Sequence, residues 1–345
     1  MSDLADEGLS AAQRRIGQRA ATRTNLFGQG ITYVMTGAVM MLFAGDVLGL
    51  SASRISQVLA VIPLVALARI FVLPWLRRVG YVRALLLADI GRLAVVVTLL
   101  VLPSRALSFP LYLGLLLVFS TANQLGGGTV WQPLMRDITT VGDRGRFFAR
   151  MRLLFTLVGT IMTAIVPLLV GTTLTEAQYK LLLVLPLVGL LNHMFWVRRI
   201  PEPAHRETSG EAPNLRAMLA ALRNSPLLRR PLLIFIAVQF SLFPLLPVYL
   251  RQVVGIPSNL VSTYLFCVSL GSAASFALFG RISDSMGFKP LLTGVLVIAS
   301  VASPLYLLIT PLGPGYTGLA HAALPERLSI LSLFVMGFIT GSVSA

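Results

Sequence analysis

The chain has 345 residues, 56% of them apolar and 12% charged, with a mean hydropathy of +0.82; soluble domains average about 25% charged residues, so the balance excludes a soluble fold. Lysine and arginine number 28 against 13 aspartates and glutamates, a net charge of +15. That excess sits in short connections between apolar blocks, which excludes nucleic acid as its partner and points to a lipid bilayer.

The first 26 residues are polar and end in a basic stretch with Arg14, Arg15, Arg19 and Arg23. The apolar block behind them is too long for a signal-peptide core and has no small-residue cleavage site, so it reads as an uncleaved first helix after a cytoplasmic tail. Blocks long enough to cross about 30 Å of hydrocarbon predict helices at about 27–48, 55–74, 84–103, 109–131, 153–171, 179–197, 231–250, 259–279, 290–311 and 327–345. The fold expected is all-α, a polytopic membrane protein with a six-helix bundle over 27–197, a cytoplasmic linker over 198–230 rich in Pro, Glu, Arg and Ser, and four helices over 231–345. Six helices before the linker suggest six after it, so the second bundle reads as incomplete: either two helices are missing from this chain or the second half is a genuinely reduced one.

Charge alternates along the connections. With the N-terminus on the cytoplasmic side, that side holds 21 basic residues and the other only Arg54, Arg105, Lys180, Arg251 and Arg327, while Arg69 and Arg92 fall within helices. The positive-inside rule then orients the chain in a plasma membrane and supports the helix count, since losing one segment would scramble the alternation.

Ionisable side chains inside hydrocarbon cost at least about 2.5–3.5 kcal/mol, so Arg69, Asp89 and Arg92 need a reason. Arg69 and Asp89 stand ten residues either side of Val79, at equal depth in an antiparallel pair, and are expected to form an ion pair. Such a pair either fixes helix packing or relays an ion; Arg69 could also snorkel to the interface. Cys267 reads as a small core residue. Gly126, Gly127, Gly128 and Gly271 suit close helix crossings. His193, His205 and His321 are scattered over a helix end and two loops, and no metal spacing, cofactor motif or catalytic triad is visible.

Gly280-Arg-Ile-Ser-Asp284-Ser-Met-Gly287-Phe-Lys289-Pro-Leu-Leu follows the eighth predicted helix. It resembles the G-x-L-x-D-x-x-G-R-K-x-x-L loop of the major facilitator superfamily at the place of that family's second copy. Gly280 permits close helix contact, Gly287 a tight turn, and Asp284 can accept hydrogen bonds from a helix N-terminus. In the corresponding first-half loop only Gly80 and the basic character remain, with Arg77 standing where the family has its Asp. Trp131 to Asp137, followed by Asp143-Arg144-Gly-Arg146-Phe-Phe, is similar to the fourth-to-fifth connection of bacterial members, where the basic cluster could pin the loop at the cytoplasmic mouth. Thr121, three residues before Gln124, replaces the Arg of proton-coupled drug antiporters, and the fifth helix lacks their Gly-Pro pair.

The resemblance implies a secondary transporter in a bacterial inner membrane, moving a small solute by alternating access with a proton or sodium ion as its expected coupling partner. It implies a midplane cavity for which Tyr33, Asn123, Gln124 and Gln239 are the polar candidates, with Gly280, Asp284, Gly287, Lys289, Arg144 and Arg146 at the cytoplasmic gate. A non-transporting sensor or assembly partner of the same fold is the alternative. A membrane-embedded enzyme would need His, Asp or Glu converging at one interface, and the sequence presents none.

Overall fold

The computed structural model describes residues 9–61, 64–65, 79–140, 142–203, 220, 224–226, 246–252, 255–286, 290, 293–294 and 297. Arg69, Gln239, Gly287 and Lys289 lie outside these. Regular structure among the described residues is helical throughout, as expected of an all-α membrane fold.

The polar tail is itself a helix. Ser10 and Gln13 stand at capping-box spacing, and they close one: the Gln13 N–H donates to Ser10 Oγ at 3.2 Å and the Ser10 N–H to Gln13 Oε1 at 2.8 Å. The helix they start, α1 (Ala11–Thr24), leads through a short 3₁₀ turn into α2 (Gly28–Met35) and α3 (Ala38–Leu42), which together begin the first span. Gly17 lets α1 lie against the connection after the fourth span, since a Cβ there would come within 2.7 Å of Ile138. Residues 52–61 are helical in the second predicted segment.

The third span, α4 (Tyr81–Val101), starts at Gly80, whose φ of +90° is a conformation that L side chains rarely adopt. Its first turn is capped from a distance: the Val82 N–H donates 2.8 Å to Glu202 Oε1 in the linker. A carboxylate beside exposed helix N–H groups is favourable there. Glu202 thus supplies α4 with the acceptor that Arg77 cannot be.

The fourth span is α5 (Phe109–Asn123), a π-helical stretch over Gln124–Val130, and α6 (Trp131–Asp137). It runs about a turn and a half past its predicted end, because Leu-Gly-Gly-Gly is accommodated by widening the helix. The fifth and sixth spans are α7 (Arg144–Leu169) and α8 (Glu176–Val197). The basic residues Arg144 to Arg152, expected in a loop, therefore form the first turns of α7. Later come α9 (Leu246–Gln252) and α10 (Ser258–Met286). Because α10 continues to Met286, Gly280 and Asp284 sit on helical backbone instead of in a loop.

Five described stretches are long and apolar enough to cross a membrane. Their outer surfaces expose Leu87, Ile90, Leu117, Val118, Leu157 and Leu168, an apolar girdle that water would not tolerate and lipid accepts. Inside, buried side chains form two apolar clusters. One, near the basic end, joins Ala21, Leu85, Trp131, Leu134 and Val197; the larger, toward the opposite end, centres on Met35, Phe43, Leu99, Tyr112 and Tyr179. Phe43 and Tyr179 stack there with ring centroids 3.7 Å apart.

That opposite end is closed by one carboxylate. Asp46 accepts from Arg251 Nε at 2.8 Å, from the Leu174 N–H at 2.8 Å and from Ser258 Oγ at 2.5 Å. Gln252 donates to the Leu50 carbonyl at 2.9 Å, and the Ser258 and Asn259 N–H groups to the carbonyls of Thr172 and Gly171. The late helices α9 and α10 are thereby tied to both the first span and the connection after the fifth.

Candidate functional site

Between the two apolar clusters lies a thin polar layer. Asp89 and Arg92 stand three apart on α4, so their side chains share a helix face. The neighbours come close because glycines clear the crossings. A Cβ on Gly126 would already touch Leu85, Ala88 and Arg92 at 3.4–3.7 Å, and one on Gly189 would sit 3.0 Å from Ile31 and Phe27. The fourth and sixth spans can then present Asn123 and His193 to the same face.

Asp89 is 0% exposed, Arg92 6% and His193 8%. Asp89 Oδ1 pairs with Arg92 Nη2, and Asp89 Oδ2 lies 2.6 Å from His193 Nδ1. Arg92 Nη1 donates to Asn123 Oδ1 at 3.1 Å. An ionised carboxylate only accepts, so Nδ1–H is the donor in the His193 contact while Asp89 carries its charge. Both Asp89 oxygens are thus engaged. Arg92 Nε is buried and has no partner among the described residues.

This layer borders a cavity of about 580 Å³. The first span contributes Asn25, Gly28, Ile31 and Thr32; α4 contributes Leu85 and Arg92; the fourth span contributes Asn123, Gly127, Trp131 and Gln132. Across from these, α7 brings Phe148, Met151, Arg152 and Phe155, and α8 brings His193. Every described lining residue comes from the half nearer the basic end.

Of the sequence candidates, Asn123 and Arg92 line the cavity and Asp89 stands directly behind them. Tyr33 and Gln124 are not among the lining residues. Tyr33 packs against the larger apolar cluster, its hydroxyl buried without a partner among the described residues, and Gln124 opens the π-helical stretch. Arg144 donates from Nε to Thr139 Oγ1 at 3.3 Å, and Arg146 is exposed. The loop before them is held by Asp143, which accepts from Gln18 Nε2 at 2.9 Å and from the Thr140 N–H and hydroxyl at 2.6 and 2.7 Å. These bonds hold the Asp143 carboxyl below the ordinary carboxylate range, the Thr140 side chain contributing most.

His193 and Arg152 are the site residues that sequence reasoning passed over. His193 looked like a helix-end residue, although of the three histidines it alone falls within an apolar block. Arg152 was counted among loop arginines.

Membrane-crossing helices wrapped around a buried charged layer and a solute-sized cavity define a transporter of small solutes. The sequence profile of the Major Facilitator Superfamily matches residues 24–345, and the chain belongs to that family. Among solved structures it is similar to a bacterial homologue of the human drug peptide transporters PepT1 and PepT2, with a TM-score of 0.55 and 15% identity, covering 95% of this chain and 87% of that one. At that identity the likeness shows the fold. No curated protein matches the chain.

Proposed function

We propose that the chain is a proton-coupled secondary transporter working by alternating access, with the cavity beside Arg92 as its solute site and Asp89–His193 as its proton site. The basic end faces the cytoplasm of a bacterial inner membrane, by the positive-inside rule. With Asp46 holding the opposite end shut and the cavity bounded by the basic-end halves of the spans, this is the inward-facing arrangement.

The observation that carries the reading is the fully buried Asp89 bridging Arg92 and His193 at the cavity's edge. A proton suits this site better than sodium. A hard cation takes several oxygen ligands, whereas both Asp89 oxygens already face nitrogen donors. The Asp89–His193 pair gains or loses one proton as a unit. Gaining it leaves Arg92 without a full counter-charge in a low-dielectric layer, which favours rearrangement or arrival of a compensating group. Loading the proton and loading the cavity are coupled through that one guanidinium.

The test is uptake of a solute panel into proteoliposomes with and without a pH gradient, comparing the parent with Asp89→Asn. The asparagine variant should lose gradient-driven accumulation while keeping solute exchange at equal pH. Unaltered dependence on the gradient would remove Asp89 from the coupling step, and no movement by the parent would favour a sensor of the same fold.

A further inference from the structure

The cavity has a charge of one sign. Among the described residues its lining includes Arg92, Arg152 and His193 and no carboxylate. Of the 13 acidic residues, only Asp46 and Asp89 fall within the predicted spans, and neither is among the described lining residues. Asp46 is engaged at the closed end by Arg251, Ser258 and Leu174. Asp89 is engaged behind the wall by Arg92 and His193 and offsets one positive charge. Arg152, on the opposite wall, is the second guanidinium among the described lining residues.

Arg92 also retains a donor. Its Nη1 and Nη2 go to Asn123 and Asp89, but Nε is buried and unpartnered among the described residues, in a residue only 6% exposed. A buried N–H left without an acceptor costs roughly 1–3 kcal/mol, more on a charged group, so the Arg92 guanidinium at the cavity wall holds unused donor capacity. Arg152 packs over the Phe155 ring, guanidinium carbon to centroid 5.6 Å. The remaining lining is rich in large apolar groups: Ile31, Leu85, Trp131, Phe148, Met151 and Phe155.

Resting on the transport reading above, we propose that the solute is an organic anion with an apolar or aromatic body, its carboxylate or phosphate received by Arg92 and Arg152 and its body by the Trp131, Phe148 and Phe155 side of the cavity. Guanidinium groups suit both acids because their fork matches two acceptor oxygens. A cationic solute would meet like charge with no carboxylate among the described lining residues to offset it. The bound anion is also the compensating group that Arg92 needs when Asp89–His193 takes up its proton, so anion and proton load together.

The experiment is equilibrium dialysis of radiolabelled 2-naphthoate against the purified full chain, with 2-naphthyl phosphate, neutral 2-naphthamide and cationic 2-naphthylmethylamine as competitors. Saturable binding at one site is expected, displaced by the phosphate and not by the amide or the amine. Arg152→Gln, at an exposed position that leaves the buried network intact, should weaken binding about tenfold or more, the loss of one charge-assisted contact, and Arg152→Lys should restore most of it. Stronger displacement by the phosphate would assign the acidic group as phosphate, and weaker displacement as carboxylate; either supports an anion site. Absence of saturable naphthoate binding, equal competition by amide or amine, or unchanged affinity in Arg152→Gln would overturn the proposal. Naphthoate that binds but is not carried into proteoliposomes would count against transport alone. Carriage of a neutral or cationic solute without naphthoate binding would leave transport standing and defeat the anion.

Discussion

Replacing Asp46 with asparagine removes one charge from the closed end while leaving an oxygen for Leu174 and Ser258. The Arg251 side chain is 21% exposed and that of Asp46 5%, so the pair lies between an exposed bridge, worth about 0–1 kcal/mol, and a buried one, whose disruption costs about 3–5 kcal/mol. A loss of about 2–3 kcal/mol is expected, shifting the equilibrium toward outward opening by about 30- to 150-fold. The assay uses a Cys267→Ser background, in which Leu50→Cys provides a single thiol at a position only 7% exposed. When opening and closing outpace the reagent, labelling by an impermeant maleimide tracks the open population. Asp46→Asn should therefore speed labelling at least about 30-fold, Arg251→Ala should do the same, and the double variant should add little, because both remove one interaction. Labelling unchanged within about twofold would refute the claim that this pair holds the outer end shut.

Glu202→Gln should lower thermal stability by about 1 kcal/mol, the scale of losing a charged cap at a helix start, read as a shift in the melting curve of the purified protein. Asp143→Asn should flatten the acid limb of stability. The Asp143 carboxyl is held below its ordinary value, so its contribution is present above that ordinary value and is lost as pH falls through the folded one. Melting measured from neutral pH downward should show a smaller acid decline in the variant than in the parent. Gly189→Leu should separate the first and sixth spans, whose approach leaves 3.0 Å for a Cβ, at a cost of about 1–3 kcal/mol in stability.

Spans were legible in the sequence because hydrocarbon demands unbroken apolar blocks, and a charge inside such a block stands out. Asp89 and Arg92 were visible for that reason. Their partners were less so. Equal depth pairs Asp89 with Arg69, which lies outside the described residues; the described partners of Asp89 are Arg92 on its own helix and His193 three spans later. Depth along the membrane limits which residues can meet, but it does not say which faces of two helices turn toward each other. Asp46 passed unnoticed because a carboxylate near a helix end is ordinary at an interface, and its partner Arg251 lies 205 positions away. The helix in the polar tail could have been read from Ser10 and Gln13, since capping-box spacing is a local signal. The widened stretch after Asn123 could not, because three consecutive glycines fit several backbone paths and packing against Leu85 and Ala88 selects among them.

Glu202 also bears on where this polypeptide can be divided. The sixth span ends at Val197, and a designer wishing to express the bundles as two separate chains would naturally cut there. Such a cut would deprive the third span of its cap and leave Gly80 and Val82 facing an empty position. Severed after Pro203 instead, the leading fragment would carry its own stopper, and the two pieces could be sought as partners that reassemble in the bilayer.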